Sequence, residues 1–287
     1  MKLNIVDYVE LTKPKVTLLN LFVGLTCFLL AAFPSVNWPN LTMFALAGYF
    51  ACGGSSVVNC VYDRNIDSIM ERTSKRAIPT GRVSPRSALV FGSLLIITGI
   101  CIGYFIFNAL TGIMMASGVV LYLVVYTITL KRTSKWNVVI GGLAGCFAAF
   151  SGWTAITNTL SLTPLLISTV DFLWTPGHLW GLAIKKVKEY KKARIPMLSV
   201  TVGIKKTAQT IFLFNVATII SSLLFPALGL AGILYLIVAA FSGFWLIFES
   251  RKLAVYPSEM QGFKVFVISM PYLACIMIGL LVDKLFL

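Results

Sequence analysis

The sequence predicts an all-α integral membrane protein of about nine transmembrane helices, and three observations carry that prediction. Of its 287 residues, 58% are hydrophobic and 12% charged, with a mean hydropathy of +0.88. An average soluble domain is nearer half apolar and about twice as charged. The apolar residues fall in blocks of about 18 to 23, long enough to cross a hydrocarbon core about 30 Å thick as helices. The basic residues stand almost entirely between alternate blocks. In lipid every backbone N–H and C=O must be paired internally, so these blocks read as helices rather than strands.

The first span, 16–33, follows a segment with Lys2, Asp7, Glu10, Lys13 and Lys15. It shows no small-residue cleavage site, so it reads as an ordinary span and not a signal peptide. The second, 41–61, runs directly into the polar stretch NCVYDRNID (59–67). The third and fourth, 88–107 and 110–130, are divided near Asn108. The fifth is 138–156. The sixth, 162–184, contains Pro176–Gly177, which should weaken or kink it. The seventh and eighth, 208–228 and 231–248, are separated only at FPALGLAG, and the ninth is 263–283.

Every basic residue except Lys284 lies before the first span, after an even-numbered one or, for Lys264, at the near edge of the ninth. The positive-inside rule therefore places the N-terminus and all basic loops in the cytoplasm of a multi-pass cell-membrane protein, with the C-terminus outside. The net charge of +14 is thereby a matter of topology and no sign of nucleic-acid binding. The six cysteines lie in or at the ends of spans without a CxxC, as small packing residues and not a disulfide framework or zinc site. One membrane domain covers 1–287. Its longer loops follow spans two, four and six, so function should concentrate on the cytoplasmic side.

Asn59, Asp63 and Asp67 are spaced i, i+4, i+8. On a helix each step advances about 6 Å and drifts about 40°, so all three share one face at the end of the second span. Two carboxylates on one face repel unless a cation sits there. Mg²⁺ suits the place, since it takes one or two carboxylates together with a substrate's phosphates. Arg72, Lys75, Arg76 and Arg82 follow within reach of phosphate oxygens. The same residues also suit a solvated helix end laced by i,i+4 charge pairs.

His178 is the one histidine of the chain and lies in an apolar span. Asp171 is seven residues earlier, almost two turns, so the two project from nearly the same face with Trp174 between them. An ionisable group at membrane depth is costly and marks a functional site by default. Imidazole is a common haem-iron ligand. A histidine bonded to a hydroxyl or carbonyl, or lying at the water interface, fits the pattern as well. Asp171 either pairs with His178 or lines a cavity.

Four stretches carry a resemblance. NCVYDRNID resembles the NxxxDxxxD motif of the UbiA-superfamily intramembrane prenyltransferases, whose acids hold Mg²⁺ and an isoprenyl diphosphate. Its continuation SIMERTSKRAIPTGRVSP is similar to the same segment of the haem O synthase branch, the protohaem IX farnesyltransferases. YVELTKPKVTLLNL (8–21), YTITLKRTSKWNVVIGGLAGCFAAFSGWTA (126–155) and FLWTPGHLWGLAIKKVKEYKKARIPMLSVTVG (172–203) resemble other segments of that branch. The resemblance implies a helical bundle around a central cavity open to the cytoplasm. It implies Asn59, Asp63 and Asp67 as magnesium ligands, with Lys131 and Arg132 as further diphosphate contacts. Trp174, His178, Trp180, Glu189 and Tyr190 become contacts to haem or the cavity, with His178 in the family's PxHxW position.

The chain departs from the pattern at Gly177, where proline is frequent, and at Ala77, where RPLP is usual. Glu189–Tyr190 matches an acid–Tyr pair in which Asp is commoner. The second DxxxD of aromatic-substrate members is absent, since Ala193 follows Glu189 by four residues. Asp171 has no family counterpart to borrow a role from.

The implied reaction moves a farnesyl group from farnesyl diphosphate to the 2-vinyl group of haem B, with water addition, giving haem O for terminal oxidase assembly. Haem A synthase or oxidase assembly proteins would be its partners beyond the lipid bilayer. Two rivals are a UbiA-type enzyme prenylating a quinone precursor or a glycerol phosphate lipid, and a transporter using Asp171 and His178 as a proton relay. The transporter leaves NxxxDxxxD unexplained.

Overall fold

A computed structural model describes residues 4–286. Lys2, part of the charge pattern above, lies outside them. The chain divides into two compact units, residues 1–130 with 147–160, and 131–146 with 161–287.

The first unit begins with a short helix α1 (Ile5–Leu11), then α2 (Pro14–Ala32) and α3 (Trp38–Asp67). Next come α4 (Pro85–Ile102), continued in wider π turns through Gly103–Phe107, and α5 (Ala109–Val120), continued the same way through Leu121–Leu130. Helix α6 (Asn137–Thr157) gives its C-terminal part to this unit. The helix starts follow local chemistry. Asn37, Ser84 and Asn108 each accept an N–H of their own first turn, from Asn40, Ser87 and Thr111. Each satisfies a donor that the helix cannot. Pro14 and Pro85 occupy first-turn positions whose N–H has no acceptor in any case.

Small residues set the packing. Lipid tails are as apolar as leucine, so helices associate by close fit and not by escape from water. A Cβ on Gly54 would stand 2.6 Å from the Gly92 carbonyl oxygen, and one on Gly99 2.6 Å from the Ala47 carbonyl oxygen, which closes α3 on α4. A Cβ on Gly152 of α6 would stand 2.0 Å from the Gly24 carbonyl oxygen of α2.

The second unit contains α7 (Leu162–Lys185), the short α8 (Val187–Lys192) and α9 (Leu198–Thr201), then α10 (Gly203–Ala227), α11 (Ile233–Val255) and α12 (Glu259–Lys284). Helix α7 packs on α10 and α12, and α11 on the same two. Gly229, at φ +69°, makes the turn that separates α10 from α11 at FPALGLAG. Asp283, buried near the end of α12, accepts from the Gly232 N–H at 2.5 Å and the Tyr235 N–H at 3.1 Å. It caps α11 from a helix about fifty residues away in sequence, a spacing no local cap rule covers. Asp283→Ala is expected to cost about 1 to 3 kcal/mol by orphaning two N–H groups, read as a lowered unfolding temperature in detergent.

The predicted spans and observed helices agree closely. Among the described residues eight helices are long and apolar enough to cross a membrane. The ninth predicted span is α7, a continuous 24-residue helix that runs through Pro176 but is too polar to count with the others. The count of nine is therefore approximate. All six cysteines are free.

Candidate active site

In the first unit α3 does not stop where its apolar run ends. It continues to Asp67, and carries Asn59, Asp63 and Asp67 on one buried face at 2%, 1% and 4% exposure. A solvated helix end would leave these carboxylates in water. Their burial sets aside the solvated helix end, and a buried carboxylate must be matched by cations and N–H donors.

The matching groups come from three other places in the chain. Asn59 Nδ2 donates to Asp63 Oδ2 at 2.9 Å and to Thr127 Oγ1 at 3.0 Å, and Asn59 Oδ1 accepts from Lys13 Nζ at 2.5 Å. Thr127 lies on the π-turn extension of α5, where its hydroxyl donates back to the Tyr122 carbonyl. Lys13 precedes Pro14 with φ 50°. A left-handed conformation costs a non-glycine residue about 1 to 2 kcal/mol and is held only where the surroundings impose it. Lys13 enters the sequence reading as a topological charge alone. Its signal was the LTKP stretch.

Arg76 completes the group, its Nη1 2.8 Å from Asp67 Oδ2. The loop after α3 holds it there. Ala77, Ile78 and Val83 are buried with Leu11, Val57, Cys60, Val61 and Ala88, so the loop is pinned to the ends of α1, α3 and α4. The Thr73 hydroxyl bonds the Asp67 carbonyl at 3.0 Å. Burial disfavours the Arg76 cation, but the Asp67 carboxylate together with Cys60 and Tyr122 favours it, and the net shift of its pKa is upward. Arg76 thus pairs with Asp67, while Lys13 and Asp63 meet the two ends of the Asn59 amide.

Other candidates fall elsewhere. Arg72 and Lys75 are exposed. Arg82 pairs with Asp7 at 2.9 Å and Glu10 at 3.5 Å and donates to the Lys75 carbonyl, tying α1 to the loop. In the second unit Lys131 is half-buried and Arg132 exposed. Glu189 is held by Lys186 at 2.7 Å, beside a buried Tyr190. Trp180 is fully buried against Trp136 and Phe214.

His178 forms a second centre. Its ring is stacked between Trp174 and Phe266, with both centroid distances 4.3 Å. Its Nδ1 lies 2.8 Å from Ser269 Oγ on α12. The partner is a serine 91 positions away and not Asp171, which corrects the suggested Asp171–His178 pair. Asp171 is buried on the same helix.

Among the described residues no group of three or more His, Cys, Asp or Glu side chains is placed to hold a metal ion. The buried pair with its amide is the donor set that Mg²⁺ uses when phosphate and water fill its other positions.

The profile of the UbiA prenyltransferase family matches residues 20–270. This chain belongs to the UbiA prenyltransferase family. Among relatives, a protein of Pseudoalteromonas atlantica named protoheme IX farnesyltransferase 2 is 38% identical over 278 residues, covering 96% of this chain and 91% of its own. Two solved structures share the UbiA fold. One, of digeranylgeranylglyceryl phosphate synthase, has a TM-score of 0.82 at 20% identity and covers 99% of both chains. The other, a UbiA homolog from Archaeoglobus fulgidus bound to DMAPP and Mg²⁺, has a TM-score of 0.71 at 16% identity and covers 96% of this chain and 99% of its own. At those identities the two structures speak for the fold alone.

The UbiA motif also makes Lys13 testable. Lys13→Gln is expected to raise the KM for the prenyl diphosphate about tenfold by removing a cation beside Asn59, with unfolding unchanged within about 1 kcal/mol. Steady-state pyrophosphate release measures both kinetic constants.

Proposed function

We propose that this UbiA-family enzyme transfers a farnesyl group from farnesyl diphosphate to the 2-vinyl group of haem B, giving haem O. The observation that carries this reading is the near full-length identity to a relative named for that activity. The digeranylgeranylglyceryl phosphate synthase is a closer fold match than the A. fulgidus homolog, yet its 20% identity brings no acceptor with it.

Asn59, Asp63 and Asp67 are the residues that would hold Mg²⁺, which supplies Lewis-acid neutralisation of the diphosphate. The magnesium-bound A. fulgidus homolog supports a divalent cation in this fold. Lys13 and Arg76, already beside these residues, donate N–H groups to phosphate oxygens and spread the leaving-group charge. The bond from farnesyl C1 to the diphosphate oxygen breaks, and the electron-rich vinyl group bonds to C1 through its terminal carbon. Water adds to the resulting carbocation beside the porphyrin and loses a proton. The products are inorganic pyrophosphate and the hydroxyethylfarnesyl side chain of haem O. No ring proton is removed, so the residues at the acceptor need not include a base. Buried surroundings keep water from the allylic cation before the new bond forms.

By the positive-inside rule, the loops carrying this chemistry face the cytoplasm of a cell membrane. Purified protein given haem B, farnesyl diphosphate and Mg²⁺ is expected to form haem O, detected by its mass. Folded protein that makes none, yet prenylates 4-hydroxybenzoate or a glycerol phosphate lipid, overturns the haem assignment.

A further inference from the structure

The surroundings of His178 specify one tautomer. Ser269 has a single hydroxyl proton, and its Oγ lies 2.8 Å from the Phe266 carbonyl oxygen and 2.8 Å from His178 Nδ1. A carbonyl only accepts, so the serine donates to Phe266. Both contacts are then hydrogen bonds only if His178 Nδ1 carries the ring proton and donates to Ser269. A neutral imidazole protonated at Nδ1 has its lone pair on Nε2.

The rest of the ring is accounted for as well. Trp174 covers one face at an interplanar angle of 17°, and Phe266 stacks on the ring at 29°. Trp174 is itself fixed, its Nε1–H donating to the Ser269 carbonyl at 2.7 Å. Ser269 thus holds His178 through its hydroxyl and Trp174 through its backbone. Ser269 holds the Nδ1 edge, and the Phe266 backbone gives the imidazole a further hydrogen-bonding contact. A neutral imidazole with Nδ1–H bonded to a fixed oxygen and a lone pair on Nε2 is a ligand set up for a metal, and that bond orients the ring and raises its basicity.

With haem as acceptor, the metal is the porphyrin iron. We infer that Ser269 is a positioning residue that holds His178 as the Nδ1–H tautomer and presents Nε2 as axial ligand to the iron of the haem substrate. This rests on the haem reading above. Coordination would hold the porphyrin at its centre, and would distinguish haem from iron-free protoporphyrin.

The test is resonance Raman spectroscopy of the full-length protein with ferrous haem B, together with haem titration. The wild type is expected to show an iron–histidine stretching band. His178→Phe, which keeps a ring between Trp174 and Phe266, is expected to lose that band. Ser269→Ala is expected to shift it to lower wavenumber and weaken haem binding about tenfold, as loss of a ligand's supporting hydrogen bond does. A structural role for Ser269 alone would not move the band. The inference is overturned if His178→Phe keeps the band, or if Ser269→Ala changes neither band nor affinity. It is also overturned if wild-type protein makes haem O without an iron–histidine band. Failure to bind haem, with prenylation of another acceptor, overturns the haem reading instead.

Discussion

Asp67→Asn is expected to lower turnover about 10²- to 10³-fold, the usual cost of removing one charge-stabilising group from a transition state. The asparagine has the same shape and still offers an oxygen to Arg76 Nη1, now 2.8 Å from Asp67 Oδ2. Arg76 keeps an acceptor but loses its buried counter-charge, so the variant is also expected to lose about 3 kcal/mol of stability. What disappears is a negative charge buried at 4% exposure on the face that also carries Asp63 and Asn59. The variant is expected to bind magnesium less tightly, so that raising its concentration recovers part of the lost rate. Pyrophosphate release and haem O formation, each measured across a magnesium series, check both parts. Turnover above a tenth of wild type at ordinary magnesium would remove Asp67 from the site.

Gly152→Ala is expected to have the largest effect on stability of any change at a glycine. Its Cβ would come 2.0 Å from the Gly24 carbonyl oxygen and 3.0 Å from the Phe28 backbone nitrogen, both belonging to α2. Side chains can turn away from a new methyl, but a helix backbone has to move whole. Overpacking of this kind costs about 1 to 3 kcal/mol, and here the obstruction is backbone, so the upper end is expected. Gly279→Ala is the control. Its nearest neighbour is the Tyr235 ring at 3.4 Å, an ordinary contact, and it should unfold close to wild type. Thermal unfolding of the two variants in the same detergent makes the comparison. Equal unfolding temperatures would show that α2 and α6 do not meet closely at Gly24 and Gly152.

The helices and the acidic face were legible because both are local. Hydropathy in blocks reports a span, and i, i+4, i+8 spacing puts Asn59, Asp63 and Asp67 on one side whatever else the chain does. Even the limits of the reading were local. Span six carries enough polar residues that α7 stands apart from the eight more apolar helices. Whether the acidic face met solvent or protein was not local. A carboxylate pair on a surface helix and one buried under Lys13 and Arg76 have the same spacing.

By itself the sequence determined that the chain crosses a membrane repeatedly and that Asn59, Asp63 and Asp67 share one helix face, and it singled out NCVYDRNID and TPGHLW as the candidate stretches for chemistry. Tertiary structure decided the partners. Lys13 reaches Asn59 across 46 positions, and Ser269 reaches His178 across 91. Ala77 and Ile78 go under the loop and so set Arg76 against Asp67. The physical reason is the solvent. In water a buried face announces itself as an apolar stripe, whereas in lipid both faces of a helix are apolar and the choice of neighbour falls to the close fit of small residues and a few hydrogen bonds. Those depend on shapes brought together from distant parts of the chain, and no periodicity records them.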